Sequence, residues 1–273
     1  MERTEQVDPL AEAILKLPAA VRAPVLTIGQ CFQLLFHVVY TAVRNPRGYW
    51  RDTLDETYGM LRFCWIPVLA CAGTFSFLIG NFAENMLRLA GAGHRLGTFF
   101  TYAMAREMSP FTVGMAVAGV MGTALCSDLG ARKVREELDA LRVMGVNVIR
   151  TLVLPRVIAI CSIFNLLTIG IGTVMGLVSA TVIGDASSGG YFASLLDNFT
   201  AAEMYGSVTK MFAIGLFIAI VCAQKGLNPG SGPEGVGRAV NQAAVLCFAA
   251  TWMIDFVGAM ITLGTNPEIL INR

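Results

Sequence analysis

Four ionisable side chains stand inside otherwise apolar runs: Arg106 and Glu107 in "AREMSPF", Lys210 in "VTKMFAIGLF" and Asp255 in "TWMIDFVGAM". A charge in hydrocarbon is costly unless it is paired, hydrated or neutral, so such residues mark places where something is held or passes. Arg106 and Glu107 are adjacent, so on a helix they point about 100° apart and do not simply neutralise each other. Pro110 cannot donate to the carbonyl of Arg106, and its ring crowds that turn. The helix is therefore expected to kink or break over Arg106–Pro110, where a water-lined cavity can satisfy the freed carbonyl and the charges. Arg106, Glu107, Pro110 and Asp255 are the candidate gate residues; a purely structural cap on the break is the alternative. Lys210 is expected near the outer end of its span, where its stem can snorkel. Asp255 lies mid-span and is expected either to pair with another intramembrane group or to be neutral and hydrogen-bonded.

Other chemistry finds little support. "GSGPEGVG" holds a GxGxxG pattern at Gly230, Gly232 and Gly235, but no strand precedes it and no βαβ unit surrounds it, so a flexible turn is expected. The chain has no Gly-Lys dipeptide and so no phosphate-binding loop of an ATPase. His37 and His94 are far apart and are predicted on opposite sides of a membrane. The seven cysteines are scattered, without a CxxC or a Cys/His cluster, and read as small apolar filler. No catalytic set, metal site or cofactor is expected on this chain.

A second concentration of charge is "ARKVREELDALRVMGV", Ala131–Val146, set between long apolar stretches. On a helix, Val134, Leu138, Leu141 and Gly145 form one stripe, and Arg132, Arg135, Glu136, Asp139 and Arg142 take the rest. Arg132/Glu136 and Arg135/Asp139 would be i,i+4 pairs of opposite sign, with Gly130 ending the preceding span and Gly145 closing the helix. Glu137 sits at the edge of the stripe. Such a helix either merely joins two spans or docks a partner and transmits its motion.

These residues need elements to position them. The chain has 273 residues, 55% hydrophobic and only 14% charged, against roughly 25% charged in a soluble domain. A polytopic membrane protein follows. Spans are predicted over Phe63–Phe82, Phe111–Cys126 with an upstream extension, Val157–Ile183, Met204–Ala223 and Ala239–Leu263. Val25–Val43 is interrupted by Gln30, Gln33 and His37 and bracketed by Arg22 and Arg44, so it reads as an amphipathic helix in the interface rather than a sixth span. The first 24 residues have no apolar core, so no cleavable signal is expected. Of the 20 Lys and Arg residues, only Arg88, Arg95 and Arg273 fall outside, with Arg106 and Lys210 inside spans. This bias sets the N-terminus in the cytoplasm and the C-terminus outside. Gly172 and Gly176, and Gly114, Ala118 and Gly122, have the spacing that lets helices approach closely, within the chain or across a dimer.

Three stretches carry a resemblance. "SDLGARKVREELDALRVMGVNVIRTLVLPRVIA", "KGLNPGSGPEGVGRAVNQ" and "AREMSPF" resemble the signature blocks of the MlaE/YrbE permease family, over about residue 44 to the C-terminus. Paired YrbE-type permeases of mycolate-bearing actinobacteria look similar to it. The resemblance implies the permease subunit of an ABC-type lipid transporter, working with MCE proteins in the cell envelope. It makes the charged segment the coupling helix, with Arg132, Arg135, Glu136, Glu137, Leu138, Asp139, Leu141 and Arg142 as ATPase-coupling residues. It implies a second permease of the same type in a homo- or heterodimer, a cytoplasmic P-loop ATPase dimer that hydrolyses ATP, and a periplasmic MCE assembly over an apolar lipid pathway. The spans, rich in Phe, Met, Leu and Ile and poor in fixed charge, suit acyl chains or sterols better than sugars or ions.

The expected architecture is all-α. It has a cytoplasmic segment (1–24), an interfacial helix with its connector (25–62), a five-span permease domain (63–263) that includes the coupling helix (131–146), and a periplasmic tail (264–273). The location expected is the bacterial cytoplasmic membrane. No nucleic-acid partner is expected. A scaffold anchoring a periplasmic complex without transport, and an ion-driven secondary transporter, are the rival readings.

Overall fold

The computed structural model describes residues 19–44, 46, 48–91, 99, 107–182, 187–198 and 201–265. Among the described residues every regular element is helical and no strand occurs. In chain order these are α1 (Ala19–Arg44), α2 (Trp50–Leu89), α3 (Ser109–Val117), a π turn (Ala118–Gly122), α4 (Thr123–Val134), α5 (Glu137–Val143), a second π turn (Ile149–Val153), α6 (Leu154–Val182), α7 (Ser188–Asn198), α8 (Ala201–Leu227) and α9 (Gly232–Thr265).

Among the described residues, six helical stretches are long and apolar enough to cross a membrane: Val25–Arg44, Trp50–Leu87, Ser109–Val134, Ile149–Val182, Met204–Leu227 and Gly232–Thr262. Each of the five predicted spans lies on one of them, and Val25–Arg44 also meets the criterion. The helices overrun the predicted spans because amphipathic turns continue them past the apolar stretch. α2 alone has 40 residues, about 60 Å at 1.5 Å per residue, twice the hydrocarbon thickness. Residues 1–18 and 266–273, most of the two expected terminal segments, lie outside the described residues.

α6 and α8 form the centre. Phe164, Ile160 and Ile163 of α6 and Ile214 and Ile218 of α8 are fully buried. α2 packs along α6, while α4 and α9 flank α8. Gly215 makes the α6–α8 approach close, since a Cβ there would stand 3.2 Å from Cys161 Cα. The outer faces carry exposed Phe63, Phe77 and Phe82 of α2 and Trp252, Phe256 and Met260 of α9, as lipid contact requires. Threonine hydroxyls bond back to carbonyls one turn earlier, for example Thr168 to Phe164 at 2.7 Å and Thr251 to Cys247 at 2.8 Å, so they need no water.

The small-residue motifs are filled from within the chain. A Cβ on Gly114 would meet Thr251 Cγ2 at 2.7 Å, and one on Gly122 would meet Cys222 Sγ at 2.8 Å. Gly176 accommodates Tyr191 of α7, whose hydroxyl donates to the Thr173 carbonyl at 3.2 Å.

Gly130 does not end its helix, which runs through to Val134. A Cβ there would stand 3.0 Å from Val236 Cγ1, so this glycine serves close packing on α9. The GxGxxG stretch is the turn into α9, with Gly232 at φ +71 and the Gly230 and Gly235 backbones in contact. With no strand beside it among the described residues, it has none of the context of a nucleotide loop.

Candidate functional site

Two polar sites stand out, one inside the apolar bundle and one at the end where α4, α5 and the second π turn meet.

The inner site joins three elements. Lys210 Nζ of α8 lies 2.9 Å from Asp255 Oδ1 of α9 and 3.4 Å from Glu107 Oε2, in the turn before α3. The Asp255 contact is an ion pair outside hydrogen-bonding geometry, whereas Lys210 donates a hydrogen bond to Glu107. The Lys210 side chain is 4% exposed and that of Asp255 14%. Lys210 therefore does not snorkel: its ammonium is buried between two carboxylates, whose charges offset part of the cost of removing it from water. Asp255 takes the paired alternative. The approach depends on Gly258, one turn along α9, where a Cβ would stand 2.7 Å from Lys210 Cδ. The α-helix begins at Ser109 with Pro110 buried in its first turn, directly after the π-helical residues Glu107 and Met108. Arg106, predicted to flank a break here, lies outside the described residues.

The second site departs from the sequence expectation. Ala131–Val146 is not one helix. α4 ends at Val134, Glu136 takes the left-handed conformation at φ 61, and α5 starts at Glu137. A non-glycine residue there costs roughly 1–2 kcal/mol, and the break brings compensating contacts. On a continuous helix Lys133 and Asp139 would point about 120° apart and be separated by about 9 Å along the axis; across the break Lys133 Nζ donates to Asp139 Oδ2 at 2.7 Å. Arg142 adds to the same carboxylate at 3.2 Å, and Arg135 pairs with Glu137 at 2.8 Å. The expected Arg132/Glu136 and Arg135/Asp139 pairs are replaced, Arg132 turning to Asp128 at 3.1 Å. The hydrogen bond from Lys133, with the Arg142 charge, holds the Asp139 carboxyl below its ordinary value. Gly145, at φ +78, closes α5 as expected, and the Val146 N–H donates to the Leu141 carbonyl at 2.9 Å.

The apolar stripe does not face outward as a unit. Leu138 is fully buried and Leu141 half-buried, while Val143 is 89% and Met144 69% exposed. The projecting end of the segment is thus Val143 and Met144, next to the exposed Arg142. Sequence periodicity missed these two because they lie off the stripe of Val134, Leu138, Leu141 and Gly145.

Arg156 anchors this segment to the spans. It sits at the start of α6, 9% exposed, with Nε donating to Glu56 of α2 at 2.9 Å and Nη1 to Asp128 of α4 at 2.6 Å. One guanidinium thereby ties three long helices beside the α4–α5 break. The signal was present in "LPRVIA", a lone basic residue at the entry to an apolar run. Asn147 caps the entry to that helix, its Oδ1 accepting from the N–H groups of Ile149 and Arg150 at 3.1 and 3.2 Å.

No cluster of three or more His, Cys, Asp or Glu residues fit to hold a metal occurs among the described residues. A 790 Å³ groove lies between α1, α8 and α9, and a 330 Å³ polar cleft between α1, α5 and α8.

The family profile described as permease MlaE matches residues 53–261. The chain is 28% identical to Protein TRIGALACTOSYLDIACYLGLYCEROL 1, chloroplastic, of Arabidopsis thaliana, over 93% of this chain and 73% of the plant protein. It is 30% identical to a probable ABC transporter permease protein of Rickettsia bellii, over 80% of this chain and 85% of that one. A probable ABC transporter permease protein of Synechocystis is 29% identical over 61% of this chain and 64% of its own length. These relatives come from a plant, a rickettsia and a cyanobacterium, and do not bear on the actinobacterial likeness. The profile match covers most of the chain and includes both polar sites, so the chain belongs to the MlaE permease family.

Proposed function

We propose that this chain is the permease subunit of an ATP-driven lipid transporter in a bacterial cytoplasmic membrane, with its N-terminus in the cytoplasm and its C-terminus outside. In this reading α1 lies in the cytoplasmic interface and five helices span. Two such permeases, as a homodimer or as a pair of YrbE-type subunits, enclose an apolar pathway beneath an MCE assembly. ATP hydrolysis belongs to a separate P-loop ATPase dimer.

The observation that carries this reading is the α4–α5 break. It sets a short charged helix, tipped by Val143 and Met144, on the same frame that Arg156 locks to three long helices. Motion imposed on α5 is passed through Asp128 and Arg156 to α2, α4 and α6. Within the membrane, Glu107, Lys210 and Asp255 tie α8 and α9 to the start of α3, with Arg106 and Pro110 as neighbours in sequence, and serve as the gate. The names of the Rickettsia and Synechocystis relatives support an ABC-type assembly.

The buried triad also favours a second reading, an ion-driven transporter, because intramembrane carboxylates can carry protons. Affinity purification from native membranes, followed by ATPase and lipid-transfer assays in proteoliposomes, separates the two. A copurifying ATPase whose turnover rises with this subunit supports the first. Lipid movement driven by a pH gradient without any ATPase supports the second.

A further inference from the structure

The groove between α1, α8 and α9 is apolar along most of its length and polar at one end. Phe217, Val221, Val245, Leu246 and Ile254 line its body; Lys225, Asn241 and Gln242 line its end. Ala213 and Lys225 both border it, twelve residues apart on one helix, which is about 18 Å. Half of a hydrocarbon core of about 30 Å is roughly 15 Å, so the groove runs the depth of one leaflet. Its volume of 790 Å³ falls in the range of about 300–1,000 Å³ that ligand pockets occupy.

The polar end is electrically incomplete. Lys225 Nζ donates to Gln242 Oε1 at 3.1 Å, a neutral amide. Among the described residues no carboxylate lies at ion-pair distance from it, and no Asp or Glu lines the groove. By contrast Arg132, Lys133, Arg142 and Arg156 nearby are each matched to a carboxylate. Lys225 and Gln242 are the two ends of "KGLNPGSGPEGVGRAVNQ", brought together by the turn into α9. A contact between Gln224 Nε2 and Gln30 Oε1 holds α1 against α8 beside the groove.

We infer that this groove holds one anionic phospholipid of the surrounding leaflet as a resident ligand. Its phosphate meets Lys225 and the Gln242 and Asn241 amides, and an acyl chain runs along Phe217 towards Ala213 and Ile254. The lipid fills the space between α1 and the bundle, and it is distinct from cargo in any central pathway. This rests on the chain lying in a membrane, and not on ATP-driven transport.

The test uses the complex purified in nanodiscs without ATP, so that a failure of the transport reading leaves the result intact. Phosphatidylglycerol and phosphatidylcholine probes, each with a mid-chain diazirine, are photolysed and the adducts mapped by mass spectrometry. Adducts are expected at Phe217 and Leu246, with phosphatidylglycerol favoured about fivefold, the effect of one lysine on an anionic lipid. Lys225→Gln is expected to abolish that preference, and Lys225→Arg to keep it. Equal labelling by both probes that is indifferent to Lys225→Gln overturns the inference. So does a photo-crosslink from p-benzoylphenylalanine at position 217 to another protein chain, which would put a partner helix in the groove.

Discussion

Gly258 of α9 lies against the stem of Lys210 of α8, so that a Cβ at Gly258 would stand 2.7 Å from Lys210 Cδ and 2.8 Å from Cγ. The ion pair between Lys210 and Asp255 is thereby set by a residue with no charge. Gly258→Ala is expected to push the lysine off Asp255 and cost roughly 1–3 kcal/mol, the usual effect of overpacking. Thermal unfolding of the purified protein checks this. Because both changes strike one interaction, Gly258→Ala combined with Asp255→Asn is expected to cost less than the sum of the two. Full additivity would show that Gly258 and the ion pair are independent.

Glu107→Gln keeps shape and most hydrogen bonding but removes one of the two carboxylates on Lys210. The variant is expected to assemble and to retain ATPase stimulation, while lipid transfer falls several-fold. Transfer at the wild-type rate would mean that the Glu107 charge has no part in gating.

Arg156 joins Glu56 and Asp128 at once. Lysine keeps the charge but lacks the fork that serves two carboxylates. Arg156→Met is expected to cost about 2 kcal/mol, below the roughly 3–5 kcal/mol of a fully buried pair, since Glu56 and Asp128 are each more than a third exposed. Arg156→Lys is expected to recover most of the stability yet leave ATP use poorly coupled to transfer. Melting temperature and the ratio of ATP hydrolysed to lipid moved read the two effects separately.

Asp139 supplies a pH test. Its folded carboxyl sits below the ordinary value of 3.8 because Lys133 donates to it. A depressed acid stabilises the folded state above its unfolded pKa, and that contribution is lost as pH falls through the folded one. The α4–α5 contact is therefore expected to persist at neutral pH and to loosen only below about pH 4. Asp139→Asn should remove this dependence. Hydrogen exchange of the α5 amides against pH, in both proteins, measures it.

Much of this was legible in the sequence. The spans were readable because long apolar runs have few alternatives once backbone polar groups must be satisfied internally. Glu107, Lys210 and Asp255 were visible as charges in apolar stretches, but their meeting was not. It depends on how α8 and α9 cross, and on Gly258, which periodicity cannot interpret. The charged segment was legible as a candidate for docking a partner, but its geometry was not. Helix propensity favours continuity through Arg135 and Glu136, whereas the Lys133–Asp139 and Arg135–Glu137 pairs and the burial of Leu138 accompany the break. Arg156 was readable as an oddity in "LPRVIA", although its partners come from residues 28 and 100 positions away.

The most direct test of the central claim is ATP-dependent transfer of a fluorescent lipid by the reconstituted permease–ATPase complex, with Val143 and Met144 intact or both changed to Asp. These two residues are the exposed apolar tip of the segment, away from Lys210 and Arg156, so the spans should fold normally. ATPase binding is expected to weaken tenfold or more, equivalent to about 1.4 kcal/mol, and ATP-dependent transfer to fall to background. Wild-type ATPase binding and wild-type transfer in the double variant would contradict the assignment of this segment as the point of coupling.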